Sequence, residues 1–397
     1  MKELISLYGG TVLLMKELIL LYVGTVLLMY LSQVYAPSTV QRNDGRLYRD
    51  PPARCRTDVF MLIVIGWMAG FMFLRTSYND THNYILNFQR AKTIPEYLSS
   101  LTWGSWTDNP LSSLYTSVIR SFTDNYHVYF LFPALLNCCA VVRLCKRYSV
   151  NPAFSMAIFF SIGTYLLCTA ALKQCCAIGV LMLALPYAVD KKYGRFYALV
   201  AVAVLLHTYA LMFAIVPFLN GKPWSRKTWV GLAVVLFCML TYNSTLGVIM
   251  EHLGSIGIDI SEGELFDGHG INPLRVVVYW TPAAIALIFR DRLFRDSTPA
   301  EDLLVNISIA SGFILTIGLA QAANLFARMA AYFEVATVIV LPWMVRKLFT
   351  RKSAQFVTIC ASVLYFGYFF YENAINTQFE YNYGAITLWE FIGQLFV

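Results

Sequence analysis

Charge is what this chain has least of. Only 13% of its 397 residues are Asp, Glu, Lys or Arg, and no hydrophilic run is long enough for a separate globular domain, which excludes a soluble enzyme body. There is no P-loop, no GxGxxG leading into a soluble helix and no GxSxG elbow, so the common nucleotide-binding and hydrolase signatures are missing. No stretch reads as a cleaved signal peptide ahead of a soluble body. The nine cysteines include two CC pairs but no CxxC spacing, and His82, His127, His252 and His269 have no zinc spacing, so neither a metal site nor a disulfide is expected. Asp259, Glu262, Glu264 and Asp267 form an acidic loop without the regular spacing of an EF-hand.

Apolar residues are what the chain has in excess. They make up 58% of it, with a mean hydropathy of +0.58, and runs of about 20 recur along nearly its whole length. The expected fold class is all-α: a polytopic integral membrane protein with about 10–12 transmembrane helices and amphipathic interfacial helices in the first large outer loop. The formal net charge of +7 does not point to nucleic acid, because the basic residues sit in short loops between spans, where they set topology.

Taken in order, residues 1–36 hold a tandem repeat, MKELISLYGGTVLL followed by MKELILLYVGTVLL, and the first span. A recent duplication, or a start placed too early, accounts for the repeat. Residues 37–57 carry Arg42, Arg46, Arg49, Arg54 and Arg56, a strong signal for the cytoplasmic side. A single membrane domain follows over 58–372, with outer loops at 76–125 and 251–272, then an aromatic-rich tail over 373–397. Spans are expected near Leu18–Tyr35, Val59–Leu74, Val128–Val142, Pro152–Leu172, Cys175–Val189, Phe196–Leu219, Thr228–Met250, Leu274–Phe289, Leu303–Ala320, Met329–Val345 and Phe356–Tyr371. In the outer loop, Leu111, Leu114, Val118, Ile119 and Phe122 recur at helical spacing, the mark of a helix lying along the interface.

One segment conflicts with this count. Counting forwards puts the basic stretch 221–227 outside, whereas counting back from the acidic loop puts it inside, where its charges belong. Either the loop breaks the rule, or Phe196–Leu219 is a hairpin folding back near His207–Thr208. Each arm would then have about 12 residues and rise about 18 Å, too short to cross. A hairpin is expected to start from outside, which would misplace the basic residues at 190–195.

Polar side chains gather where apolar ones are expected. Lys173 and Gln174 open one apolar segment, and His207 and Thr208 interrupt the next. Arg75 ends the second span, with Asp80 and Tyr84 after it, Arg275 opens the eighth, and Arg328 opens the tenth, with Tyr332 one turn on. Such residues are costly in lipid and usually face a bundle interior or a watery cavity, although basic residues at helix ends also snorkel. Four cations on the side that should be poor in them fit an anionic amphiphile such as a lipid pyrophosphate, with Arg as forked donor and Lys as point charge. Asp80 has the chemistry of a general base or of a divalent-cation ligand. His207 could act as a base or donate to a phosphate.

Four segments also carry a resemblance: LRTSYNDTHNYILNF (74–88), NPLSSLYTSVIRSFTDNYHVYFLF (109–132), the central LKQCCAIGVLMLALPYAVDKKYGRFYALVAVAVLLHTYAL (172–211), and LFARMAAYFEVATVIVLP (325–342). Together, over roughly 58–372, they resemble the EpsG family of bacterial exopolysaccharide and capsule polymerases, which are Wzy-like membrane proteins. The chain departs from the family at Lys173, where arginine is usual, and in its N-terminal repeat.

The resemblance implies polymerisation of undecaprenyl-pyrophosphate-linked oligosaccharide units into exopolysaccharide, capsule or O-antigen chains at the outer face of the bacterial cytoplasmic membrane. Arg75, Lys173 and Arg328, with Gln174 and Arg275, would hold the pyrophosphate; Asp80, ahead of His207, would take the proton; Tyr84 and Tyr332 would support. No cofactor is implied, apart from a divalent cation if Asp80 serves as its ligand. The expected partners are the lipid-linked glycan, the bilayer, and flippase and chain-length regulator proteins of the same pathway, and no nucleic acid. A flippase for lipid-linked glycans and a glycan ligase are the competing readings. A flippase would be expected to show two related halves, and no repeat is found beyond residues 1–28.

Overall fold

The computed structural model describes residues 15–38, 57–100, 109–241, 270–320, 323–376 and 383–395. The first copy of the repeat, the arginine-rich loop over 39–56 and the acidic loop within 242–269 lie outside the described residues, as does the second half of the seventh expected span.

The polypeptide forms helices wherever its apolar runs demand them, because in hydrocarbon each backbone N–H and C=O must be satisfied within its own segment. In chain order these are α1 (Lys16–Tyr35), α2 (Val59–Phe73), a short strand β1 (Arg75–Ser77), then α3 (Thr81–Gln89), α4 (Ile94–Ser99) and α5 (Pro110–Phe122). Next come α6 (Tyr126–Tyr148), α7 (Pro152–Ser161), α8 (Thr164–Ala170), α9 (Leu172–Val189), α10 (Tyr193–Leu206) and a 3₁₀ arm (Thr208–Phe218). The last part holds α11 (Arg226–Leu240), α12 (Pro273–Ile288), α13 (Arg290–Phe294), α14 (Pro299–Ile317), α15 (Ala323–Leu348), α16 (Arg351–Phe370), β2 (Gly384–Ala385) and α17 (Leu388–Gln394).

Six of these helices are long and apolar enough to cross a membrane, and the number is seven when α7 and α8, bent by 56° at their break, are counted as one span. The other expected spans are shorter apolar helices, among them α2, α10, α12 and the 3₁₀ arm. This is an all-α, multi-pass membrane protein. Helices α9, α14 and α15 are buried along most of their length, while α1 and α16 are peripheral. Helix starts are written in the sequence. Asp58, Asn125, Asn151, Asn272 and Thr298 each accept a backbone N–H of the following first turn, and prolines open α5, α7, α12 and α14, where no N–H is needed.

The segment after Val189 is a hairpin. Helix α10 stops at Leu206, His207 is extended (φ −156°, ψ 114°), and the 3₁₀ arm runs back beside it. The rings of Phe196 and Phe213 lie 6.0 Å apart, and the Tyr197 hydroxyl donates to the Ala214 carbonyl at 3.4 Å. A straight helix would separate residues 17 apart by about 25 Å. Both ends lie at the same, basic end of the bundle: Lys222 sits 3.1 Å from Asp302 and 2.7 Å from Ser297 Oγ, and Asn306 donates to the Leu219 and Gly221 carbonyls at 2.8 Å. The expectation that a hairpin must start from outside is therefore corrected. The segment starts and returns at one end of the bundle, so the basic stretches 190–195 and 221–227 lie at the same end, where the basic-loop rule wants them together. An arm of 14 residues rises about 21 Å, which carries His207 most of the way to the outer face.

Two outer-face features depart from the expected picture. Helix α5 is amphipathic, but Ser112 and Ser117 are its most buried residues, and Phe122 faces out. The aromatic tail is tied in: β2 pairs antiparallel with β1, Arg75 opposite Ala385. A side chain at Gly384 would collide with Thr76 Oγ1 at 2.5 Å.

At the inner end, Lys146 is fully buried. Its ammonium bonds the Ser32 carbonyl and hydroxyl at 2.5 Å and Asp58 Oδ2 at 3.0 Å, joining α1, α2 and α6. Burial alone would raise the Asp58 carboxyl, but bonds from Met61 N–H, Ser32 and Lys146, and the charge of Lys146, outweigh it and hold the group below its usual range. This stabilisation is present above the ordinary Asp pKa and is lost as pH falls through the lowered one. Lys146→Met is expected to cost about 3–5 kcal/mol in detergent unfolding, because it strands a buried carboxylate. Adding Asp58→Asn, which keeps the cap, is expected to recover part of that loss.

Candidate functional site

Three broken or terminal backbone segments meet near the outer face: the tip of the hairpin, the N-terminus of α9, and the first turns of α15. The apolar runs on either side force each into a helix, and their ends leave backbone groups free to turn outward.

Lys173 and Gln174 are the second and third residues of α9. Gln174 is buried, and its Nε2 donates to the Arg328 carbonyl at 2.6 Å, which ties α9 to α15. Its Oε1 is buried without a partner among the described residues. Arg328 and Tyr332 stand one turn apart on α15, so they share a face. Tyr332 is buried, and its hydroxyl meets His207 Nδ1 at 2.7 Å. The charges acting on the His207 imidazole are those of Arg328 and Lys173. Five of the expected residues, from three separate segments, are thus brought together.

The outer loop covers this point. Asn109, the N-cap of α5 in a left-handed conformation (φ 51°), presents Oδ1 to Thr208 N–H at 2.9 Å and Thr208 Oγ1 at 3.3 Å. The amide exposed by the break in the hairpin thus has a partner. From the other side comes Tyr84 of α3. Burial, then the neighbouring Asp80, raises its phenol above the ordinary range, while Arg328, a backbone bond at Leu172 and Arg75 act the opposite way. Asp80 immediately precedes α3, is half-buried, and accepts no side-chain capping bond. Among the described residues no three His, Cys, Asp or Glu come together to hold a metal ion.

Arg75 is close but faces inward. Nε donates to Thr81 Oγ1 at 2.9 Å, Nη1 donates to the Met72 carbonyl, and the guanidinium lies 4.2 Å over the Phe130 ring. Burial pulls its pKa down to about 10, so it stays charged at neutral pH. Only Nη2 lacks a partner among the described residues. Arg275 belongs to a different group: the residues acting on it are Tyr279, Tyr368, Glu372 and Glu334. The geometry gathers Lys173, Gln174, His207, Arg328, Tyr332 and Tyr84, sets Asp80 and Arg75 at the margin, and leaves Arg275 out.

The EpsG family profile matches residues 58–384, a range that contains every residue of this cluster. The chain belongs to the EpsG family. That membership carries an exopolysaccharide-related, polymerase-like role. No curated protein and no solved structure matches the chain.

Asn109 was not visible as a site residue in the sequence. An Asn–Pro pair marks a helix start, but nothing in it shows that the cap turns toward another segment. Asn109→Ala is expected to strand the Thr208 amide at a cost of about 1–3 kcal/mol. Hydrogen exchange at Thr208 should then speed up by about tenfold or more, with amides in the middle of α9 unchanged.

Proposed function

We propose that this EpsG-family protein polymerises oligosaccharide units carried on undecaprenyl pyrophosphate, at the outer face of the bacterial cytoplasmic membrane. The observation that carries the reading is the tie between three segments: Gln174, next to Lys173 in the first turn of α9, bonds the Arg328 carbonyl, and Tyr332, one turn beyond Arg328, meets His207 Nδ1. Two cations, an imidazole and a helix N-terminus make an anion site at the depth where a lipid pyrophosphate would sit.

In this reading the hydroxyl of the acceptor sugar attacks the anomeric carbon of the donor chain. The bond from that carbon to the pyrophosphate oxygen breaks, and the polyprenyl pyrophosphate leaves with the bonding pair. Lys173 and Arg328 stabilise the charge that develops on it. Asp80 takes the proton of the attacking hydroxyl: its carboxylate is half-buried, lies at the outer margin and is not consumed by a helix cap. His207, oriented through Nδ1 by Tyr332, turns Nε2 to a phosphate oxygen. Arg75 acts from behind, holding the chain between α2 and α3 through Thr81 and Met72.

The test uses a strain lacking this gene and supplied with wild type, Asp80→Ala, Lys173→Ala, Lys173→Arg or Arg328→Ala, with membrane levels matched. Glycan chain length is read on a gel. The three alanine variants are expected to lose long chains and accumulate single lipid-linked units outside, a fall of about 10²–10³ in rate for each lost contact. Lys173→Arg, which keeps the charge and adds a fork, should retain long chains. Units accumulating only on the inner face would instead identify a flippase. Unchanged chain length in all variants would place the chemistry elsewhere.

A further inference from the structure

A second polar centre lies inside the bundle, on the face of α15 away from Tyr332. Its core is Glu334, 2% exposed. The Thr164 hydroxyl donates to Glu334 Oε2. The Tyr279 hydroxyl lies 2.6 Å from Glu334 Oε1 and 2.7 Å from the Ile162 carbonyl. Ile162 immediately precedes Gly163, whose φ of +82° admits little but glycine, at the break where α7 gives way to α8.

Counting protons decides the state of this group. Three oxygen–oxygen contacts join Thr164, Glu334, Tyr279 and the Ile162 carbonyl. The carbonyl brings no proton and each hydroxyl brings one, so two protons serve three contacts. An unfilled contact would set lone pair against lone pair in an apolar interior, where an unmet polar group is most costly. The missing proton has one possible source, the carboxyl of Glu334.

The charges around the group agree. From α12, Arg275 holds its guanidinium 5.7 Å from the centre of the Tyr279 ring. From α16 and the turn after it come Tyr368 and Glu372, and Glu372 acts on Arg275 more strongly than Glu334 does. From α8 comes the Thr164 hydroxyl. Among the described residues no cation lies within 4.0 Å of the Glu334 carboxyl.

We propose that Glu334 is a proton-binding site, holding one proton in a chain that runs from its Oε1 to Tyr279 and from the Tyr279 hydroxyl to the Ile162 carbonyl. The proton latches the α7–α8 break to α15, the helix that also carries Arg328 and Tyr332. The inference is independent of the reaction proposed above.

The test is infrared difference spectroscopy of the purified full-length protein in lipid nanodiscs at neutral pH, wild type minus Glu334→Gln. A carboxylic-acid C=O band that moves down in D2O is expected in wild type and absent in the variant. Because glutamine can donate to Tyr279 in place of the acid proton, Glu334→Gln should also keep its thermal midpoint, whereas Tyr279→Phe lowers it by several degrees. Tyr279→Phe gives a second readout by shifting the acid band up as the hydrogen bond is lost. A difference spectrum that contains only carboxylate stretches, with no acid band to shift in Tyr279→Phe, would overturn the proposal.

Discussion

Hydrocarbon permits a broken helix only if something else supplies the partners that the break removes. Two breaks set the architecture of this chain, and both are answered by side chains from distant segments. At the hairpin tip, Asn109 takes the Thr208 amide and Tyr332 takes His207. Between α7 and α8, Tyr279 takes the Ile162 carbonyl and Glu334 holds Tyr279 and Thr164. Helix α15 lies between the breaks and serves both, with Tyr332 on one face and Glu334 on the other.

The same constraint explains why the polar residues are where they are. A hairpin too short to cross must end inside the membrane, and its turn there must be lined with polar groups. The turn brings His207 to the level of Lys173 at the start of α9 and Arg328 near the start of α15. Each of these residues alone could be an ordinary helix-end cation. With Gln174 fastening the two helices, they form the cluster that the proposed reading assigns to an anion with a lipid tail. The buried Asp58–Lys146 pair does the comparable work at the inner end, where it fixes α1, α2 and α6.

Much of this was legible in the chain. The helices follow from apolar runs of about 20 residues, and Lys173, Gln174, His207 and Arg328 stand out because they interrupt or open such runs. The hairpin is signalled by a conflict in the basic loops, and its return to the end where it starts depends on contacts between its two arms that no local pattern encodes. Other features depend on partners far away in sequence. Arg275 reads in the sequence as a fourth phosphate cation, but the residues that act on it are Tyr279, Tyr368, Glu372 and Glu334, brought near only by the packing of the helices. Glu334 itself is a lone carboxylate in an apolar run, a visible signal, but its partners come from α8 and α12. On the amphipathic α5, Ser112 and Ser117 are buried beside Leu111, Tyr115 and Ile119, which pack against the core, while Phe122 is exposed, so small polar residues share the inward face with the apolar ones. Lys146 reads as a topology charge, and only its distances to Ser32 and Asp58 reveal a structural one.

The central claim is that residues 193–218 enter and leave on the same side, so that His207 is a turn and not the middle of a span. It is tested by placing single cysteines at the exposed positions Lys191 and Lys227 in a variant without other reactive thiols. Each is probed with a membrane-impermeant maleimide in sealed right-side-out and inverted vesicles. The account predicts that both cysteines react only in inverted vesicles. Labelling of the two from opposite faces would make the segment a continuous crossing, and would remove the turn on which the site is built.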